Sequence, residues 1–294
     1  MKHKIAVIGG DARYLEMIRQ LQTNKDIVLI GYDQLDQSYA GAKRTDLKNI
    51  DVTEFDAIIL PVRGVGKEGE LEAVFSEKDI KLPAEWFKQL KSGTLIFSGI
   101  AGSTLKEACQ SAGVDLITLM DRDDVAIYNS IPTAEGVLIM AMENTDFTIH
   151  GSNVTVSGYG RVGKTVARMF KALGAHVTVA ARTTAERARI NEMGYRSVDF
   201  AELPVAASSA DLLINTVPAH VIDKGVICEL PAHSIILDIA SKPGGTDFEY
   251  ASQRGIKAIL AKSLPGVVAP RTSGKILADV IKEVLEEKKK GANI

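Results

Sequence analysis

The feature that most constrains this chain is a glycine pattern lying past its midpoint. An apolar run at 154–156 ends in Gly158-Tyr159-Gly160-Arg161-Val162-Gly163, passes into a helical pattern, and is followed by a second apolar run at 177–179. Glycines at this spacing, after a strand and ahead of a helix, mark a dinucleotide-binding βαβ unit of about thirty residues. Gly158 allows the tight turn, Gly160 lets a pyrophosphate approach the backbone, and Gly163 lets the helix pack close to the sheet. The helix opening at Arg161 offers unpaired N–H groups and the positive end of its dipole to the diphosphate. Gly158, Gly160, Arg161, Val162 and Gly163 are therefore assigned to a dinucleotide, with a purely structural glycine turn as the alternative.

Because this unit begins past the middle of 294 residues, a whole domain's worth of chain precedes it. Short apolar runs alternate with helical patterns throughout, at 5–8, 27–30, 57–60, 94–97 and 114–118, then at 154–156, 177–179, 212–215, 235–238 and 258–260. That alternation is the mark of an α/β chain with parallel sheets. It predicts two doubly wound Rossmann-like domains joined by crossing helices: a substrate domain over 1–127 and a nucleotide domain over 128–272. Residues 65–83 read as an irregular excursion. The continuously apolar stretch 131–142, with Pro132 near its start, predicts a connecting helix buried on most sides and capped by Asn129 or Ser130. The last helix, 273–290, gathers Ile276, Leu277, Val280, Ile281, Val284 and Leu285 on one face and is expected to pack back on the first domain.

A net charge of −2 gives no electrostatic footprint for nucleic acid or an anionic membrane. No apolar run reaches the roughly 18–20 residues of a membrane span. The first residues enter a strand-like run at once, so no signal peptide is expected. Cys109 and Cys228 lack metal or C-x-x-C spacing, no metal site can be assembled, and a reducing cytoplasmic setting fits.

The nucleotide type follows from the end of the second strand, where NAD sites place an acid for the ribose 2′-hydroxyl. Here the chain reads Ala180-Ala181-Arg182-Thr183. A guanidinium can pair a 2′-phosphate in bidentate fashion, a contact worth about 1.5–3 kcal/mol, or roughly tenfold to a hundredfold in preference. NADP is thus expected, with Arg182 and Thr183 at the phosphate; a solvated loop arginine is the alternative. Ligands bind outside the carboxyl ends of parallel strands. Thr216, Val217 and Pro218 are assigned to the adenosine side, and Ala240, Ser241 and Lys242 with Leu264, Pro265 and Gly266 to the nicotinamide side. Asp238 either joins them or serves as a structural cap.

The opening Gly9-Gly10-Asp11-Ala12-Arg13 is another strand-to-helix turn, but Tyr14 stands where a third glycine would sit, so a second nucleotide is not expected. Asp11 reads as an N-cap and is also grouped with Arg13 among the expected substrate-binding residues. Arg13, Arg63-Gly64 and the turn at 98–103 end neighbouring strands and suit a small carboxylate in an interdomain cleft; each arginine could equally be a solvated surface residue. Asn129, Ser130 and Thr133 are expected to line the cleft floor. No histidine follows the last strands, where alcohol-oxidising enzymes of this layout carry an acid/base, and His220 reads as a loop residue. Thr133, Glu135, Lys242 and Lys275 are left as polar candidates for catalysis.

These residues resemble the A subunits of dipicolinate synthases from spore-forming bacteria, over nearly the whole chain. The likeness is carried by Gly9-Gly10-Asp11-Ala12-Arg13, Pro61-Val62-Arg63-Gly64, the 158–163 turn, and Leu264-Pro265-Gly266 with Ala269-Pro270. Its most specific part is Asn129-Ser130-Ile131-Pro132-Thr133-Ala134-Glu135-Gly136. The wider layout is similar to D-2-hydroxyacid dehydrogenases, alanine dehydrogenase and adenosylhomocysteinase. The resemblance implies NADP-linked oxidation of dihydrodipicolinate to dipicolinate, on a branch of the lysine and diaminopimelate pathway, during sporulation and in the mother-cell cytoplasm. It also implies a flavoprotein-like B subunit. A small dicarboxylate would suit two arginines, and an aromatic product makes hydride loss downhill without a dedicated histidine. A 2-hydroxyacid or amino-acid dehydrogenase and a non-catalytic protein that senses NADPH stay open, as do homo-oligomerisation and the dehydration step.

Overall fold

The structure, a computed structural model, describes residues 3–35 and 38–291. It divides into two compact units, one formed by residues up to Tyr128 with those from Ala269 onward, the other by Asn129–Val268.

The first unit holds β1 (Lys4–Ile8), α1 (Ala12–Leu21), β2 (Asp26–Ile30), β3 (Ser38–Tyr39), β4 (Ala42–Thr45), β5 (Ala57–Ile59), β6 (Glu70–Leu71), β7 (Ile80–Lys81), α2 (Ala84–Phe87), β8 (Leu95–Ser98), α3 (Ser103–Ala112) and β9 (Asp115–Thr118). Its main sheet runs β3-β4-β2-β1-β5-β8-β9. Every neighbouring pair is parallel except β3 with β4. Leaving out β3, the order is that of a doubly wound sheet. Alternate residues of β1 enter opposite cores, as a period of two requires. Ile5 and Val7 pack with Met17, Ile18, Leu277 and Ile281, whereas Ala6 and Ile8 pack with Ile58, Phe87 and Leu105.

A 22-residue helix, α4 (Asp123–Asn144), runs from the first unit into the second. It begins eight residues before the expected start, so Asn129 and Ser130 are not caps and Pro132 lies inside the helix. An interior proline costs about 3 kcal/mol. Burial offsets this on both sides of it: Val125 enters the first unit's core, and Ala134, Val137 and Ala141 enter the second's. The helix is not buried on most sides as its composition predicts. Ile131, Ile139 and Met142 are exposed, because one helix stripe suffices to contact the core. Among the described residues it is also the one helix that, by length and composition only, is long and apolar enough to cross a membrane. Its core residues make it a packed element instead.

The second unit holds β10 (Asn153–Ser157), α5 (Arg161–Ala172), β11 (His176–Ala180), α6 (Thr184–Glu192), β12 (Arg196–Val198), α7 (Leu203–Ala207), β13 (Leu212–Asn215), α8 (Lys224–Ile227), β14 (Ile235–Asp238), α9 (Phe248–Gln253), β15 (Lys257–Leu260) and α10 (Leu264–Val268). The sheet order is β12-β11-β10-β13-β14-β15, parallel throughout. This is the Rossmann order, with its switch point between β10 and β13. The final helix, α11 (Pro270–Lys289), packs along α1 in the first unit.

Strands β4 and β12 carry no sequence signal, because Ala42-Lys43-Arg44-Thr45 and Arg196-Ser197-Val198 contain no apolar run. They sit at or near sheet edges, where the backbone ladder holds them without a large buried face.

Candidate functional site

The 158–163 turn shows three glycines with three different steric situations. Gly158 has φ +98°, and a Cβ there would lie 2.6 Å from Thr216 Oγ1. At Gly163 a Cβ would lie 2.2 Å from the Gly158 carbonyl oxygen. Both glycines are demanded by the protein's own packing. Gly160 is not: its φ of −79° is ordinary, and nothing lies within 4 Å of an added Cβ. The protein thus keeps open space over the backbone at Gly160, where α5 starts without a side-chain cap. A helix N-terminus that opens onto unfilled space fits a diphosphate.

Neighbouring strand ends border this turn. Thr216 donates its hydroxyl to the Ser157 carbonyl at 2.8 Å, and the Asn215 amide brackets Val217 through both its backbone groups. Pro218 follows on the same loop. Asp238 is fully buried and accepts hydrogen bonds from the N–H groups of Ala240 and Gly245 and from the Thr246 hydroxyl. Its carboxylate is consumed in clamping the loop that carries Ala240, Ser241 and Lys242, which decides for the structural reading. Leu264, Pro265 and Gly266 open α10, and Leu264 packs against Gly136 of α4.

At the end of β11, Arg182 is exposed and Thr183 caps α6 in a reciprocal capping box with Glu186. The Glu186 carboxyl is held below the usual range, first by the Thr183 N–H, then by its hydroxyl and by the charges of Arg182 and Lys164. Arg187, which sequence reasoning missed, donates to the carbonyls of Ala181 and Arg182 and pairs with Asp199 at 2.7 Å. It fixes the loop that presents Arg182. The signal for it was only another arginine in a charged helix.

In the first unit, Asp11 caps α1 through the Arg13 N–H and also grips the Arg13 guanidinium, with Nε at 3.0 Å and Nη2 at 2.5 Å. Arg13 is buried, and its charge is already balanced. The excursion carries the antiparallel β6–β7 pair, and residues 72–74 of the connection between these strands cross the Gly9-Gly10 turn: the Gly10 N–H donates to the Glu72 carbonyl at 2.7 Å, and the Val74 N–H donates to the Gly10 carbonyl at 3.1 Å. Main chain occupies the place a diphosphate would take. Arg63 is largely open to solvent, with Nε 3.6 Å from Glu72, and Gly64 tucks beneath the Ile100 carbonyl. A groove of about 780 Å³ opens elsewhere on this unit, beside Trp86, and none of the expected substrate residues lines it.

On α4, Ser130 shares a 2.6 Å hydrogen bond with Thr165 of α5, and the Thr133 hydroxyl donates to the Asn129 carbonyl at 2.7 Å. Asn129 and Ser130 are buried, whereas Glu135, Lys242, Lys275 and His220 are exposed.

Residues 4–120 match the family of the N-terminal domain of the dipicolinate synthase A subunit, and residues 133–241 match the D-isomer specific 2-hydroxyacid dehydrogenase NAD binding domain. Over 285 residues the chain is 47% identical to the dipicolinate synthase A subunit of Bacillus subtilis strain 168, covering 97% of this chain and 96% of that one. The crystal structure of the A subunit of dipicolinate synthase from Bacillus halodurans superposes with a TM-score of 0.94 at 46% identity, over 96% of this chain and 97% of that one. A transhydrogenase from Sinorhizobium meliloti, at 15% identity and a TM-score of 0.68 over 96% of this chain and 94% of its own, shares the fold alone. The second unit is therefore a dehydrogenase-type domain for a nicotinamide cofactor.

Proposed function

Since the chain belongs to the family of dipicolinate synthase A subunits, we propose that it oxidises dihydrodipicolinate to dipicolinate with NADP, in the cytoplasm of a sporulating mother cell. A second, flavoprotein-like polypeptide works with it. The reaction removes two hydrogens, one as hydride and one as a proton, and leaves an aromatic diacid. NADP, when bound, supplies the hydride acceptor.

The chain's own residues do the rest. The space over Gly160 receives the diphosphate, and the N–H groups at the start of α5 hold its charge. Arg182, on a loop stiffened by Arg187 and the Thr183–Glu186 box, takes the 2′-phosphate in a place where an acid would refuse it. Thr216, Val217 and Pro218 border the adenosine side; Ala240, Ser241, Lys242 and 264–266 border the nicotinamide. Arg63 is the arginine available to a substrate carboxylate, since Arg13 is held by Asp11. Glu135 and Lys242, both exposed, are the candidates to receive the proton; the Thr133 hydroxyl is engaged within its helix.

The observation that carries this reading is the void at Gly160 beside a strand end bearing Arg182 in place of an acid. Calorimetric titration of NADP and NAD onto the purified chain tests the cofactor, and tighter NAD binding would overturn it. NADPH absorbance on adding dihydrodipicolinate, with and without the second polypeptide, tests the reaction. No signal in either condition removes the proposed activity.

A further inference from the structure

Strands β10 and β11 of the second unit end side by side. Ser157 lies opposite Ala180, and the Gly158 N–H donates to the Ala180 carbonyl at 2.9 Å. Tyr159 and Arg182 therefore leave adjacent strand ends. Lys164 stands in the first turn of α5, its N–H bonded to the Gly160 carbonyl at 3.0 Å. Its side chain does not extend freely into water: Nζ sits over the nearly buried Tyr159 ring, 5.4 Å from the centroid. A lysine laid on an aromatic face keeps its ammonium in a defined place. Close enough to feel its charge is the Glu186 carboxylate, which also feels Arg182 and which Thr183 pins in the capping box.

We infer that Lys164 is a second cation for the 2′-phosphate of the nucleotide, and that Glu186 is a built-in counter-charge that weakens this phosphate's binding. The inference rests on the NADP reading above and concerns the same site. Lys164 and Arg182 both act through their charge on Glu186, whose capping box opens α6 just past the end of β11, where the phosphate is assigned. A phosphate ester carries between one and two negative charges near neutral pH, so Lys164 and Arg182 both attract it and Glu186 repels it. The Glu186 carboxyl, held below its usual range by Thr183 and these cations, stays charged at neutral pH and keeps that opposition constant.

The test uses probes without nicotinamide: adenosine 2′,5′-bisphosphate and adenosine 5′-monophosphate, titrated calorimetrically onto the full chain. Lys164→Gln is expected to weaken the bisphosphate about tenfold, the scale of one charge-assisted contact, and to shift the monophosphate by less than about twofold. Lys164→Arg should retain most of the affinity. Glu186→Gln keeps the capping box, because glutamine serves at that position, and is expected to tighten the bisphosphate by roughly threefold to tenfold, the reciprocal effect of removing one like charge. A thermal melt of each variant confirms folding. Equal weakening of both probes by Lys164→Gln would assign the lysine to the shared 5′-phosphate and overturn the inference, as would no weakening at all. Unchanged or weaker bisphosphate binding in Glu186→Gln would overturn the counter-charge. If the unaltered chain does not prefer the bisphosphate to the monophosphate, the NADP reading itself falls. A retained preference with an indifferent Lys164 sinks only this inference.

Discussion

Replacing Gly160 with alanine separates what the glycine turn does for the protein from what it does for a ligand. At Gly163 an added methyl would sit 2.2 Å from the Gly158 carbonyl oxygen, a backbone atom that cannot step aside. Overpacking of this kind costs about 1–3 kcal/mol, so Gly163→Ala should lower the melting temperature. At Gly160 the methyl would meet nothing within 4 Å, and the backbone at φ −79° and ψ −163° is extended. The loss of unfolded-state freedom stabilises Gly160→Ala by about 0.4–1 kcal/mol. Alanine's poorer N-cap preference removes a few tenths. The net change in stability should stay within about 1 kcal/mol of zero. The same methyl fills the space assigned to the pyrophosphate and blocks its approach to the N–H groups of α5. Losing one or two charge-assisted hydrogen bonds of about 1.5–3 kcal/mol each weakens binding by tenfold to more than a thousandfold. Calorimetric unfolding paired with NADP titration on both variants reads the two quantities separately. Unimpaired nucleotide binding by a well-folded Gly160→Ala protein would refute the reasoning, because the void would then have no bearing on the ligand.

Three further outcomes follow from the same structure. Arg63→Ala, at a side chain largely open to solvent, should leave the melting temperature and NADP affinity unchanged while raising the KM for dihydrodipicolinate; unchanged steady-state kinetics would remove Arg63 from the substrate. Glu16, gripped first by Arg19 and also by Gln20 and Arg271, has its carboxyl pulled from 4.5 to about 2. Its folded value lies below its unfolded one, so its contribution is complete above about pH 4.5 and lost as pH falls toward 2. Glu16→Gln should therefore melt lower than the unaltered chain at neutral pH, with the gap closing through that window; a gap independent of pH would contradict the ion pairing. Burial pushes the Cys109 thiol up to about 11, whereas Cys228 is exposed. A thiol-specific chromogenic reagent at pH about 8 should label one cysteine quickly, since thiolate is the reactive form, and rapid labelling of both would show that Cys109 is not sealed.

Among the particular elements, the core strands were legible because each is a short apolar run whose identity is local. Residues 154–156, 177–179, 212–215 and 235–238 all lie in strands, and the three glycines of the turn fall where sterics demand two of them. Strands β12, at a sheet edge, and β4, one place in from an edge, escaped notice because their residues read as polar loop and only a neighbouring backbone makes them strands. Arg182 was visible as a missing acid. Lys164 and Arg187 were not, since nothing in the order of residues says that one lies on Tyr159 or that the other holds the Ala181 and Arg182 carbonyls.

By itself, then, the order of amino acids determined the alternation of strands and helices, the two doubly wound sheets and the nucleotide turn, because those depend on periodicity and on backbone conformation over a few residues. Tertiary structure alone decided that Pro132 sits within a continuous helix, that Asp11 engages Arg13, that Asp238 clamps a loop, and that residues 72–74 cover the first glycine turn. Each of these is a contest for one charge, one carbonyl or one N–H group between partners brought close only by folding.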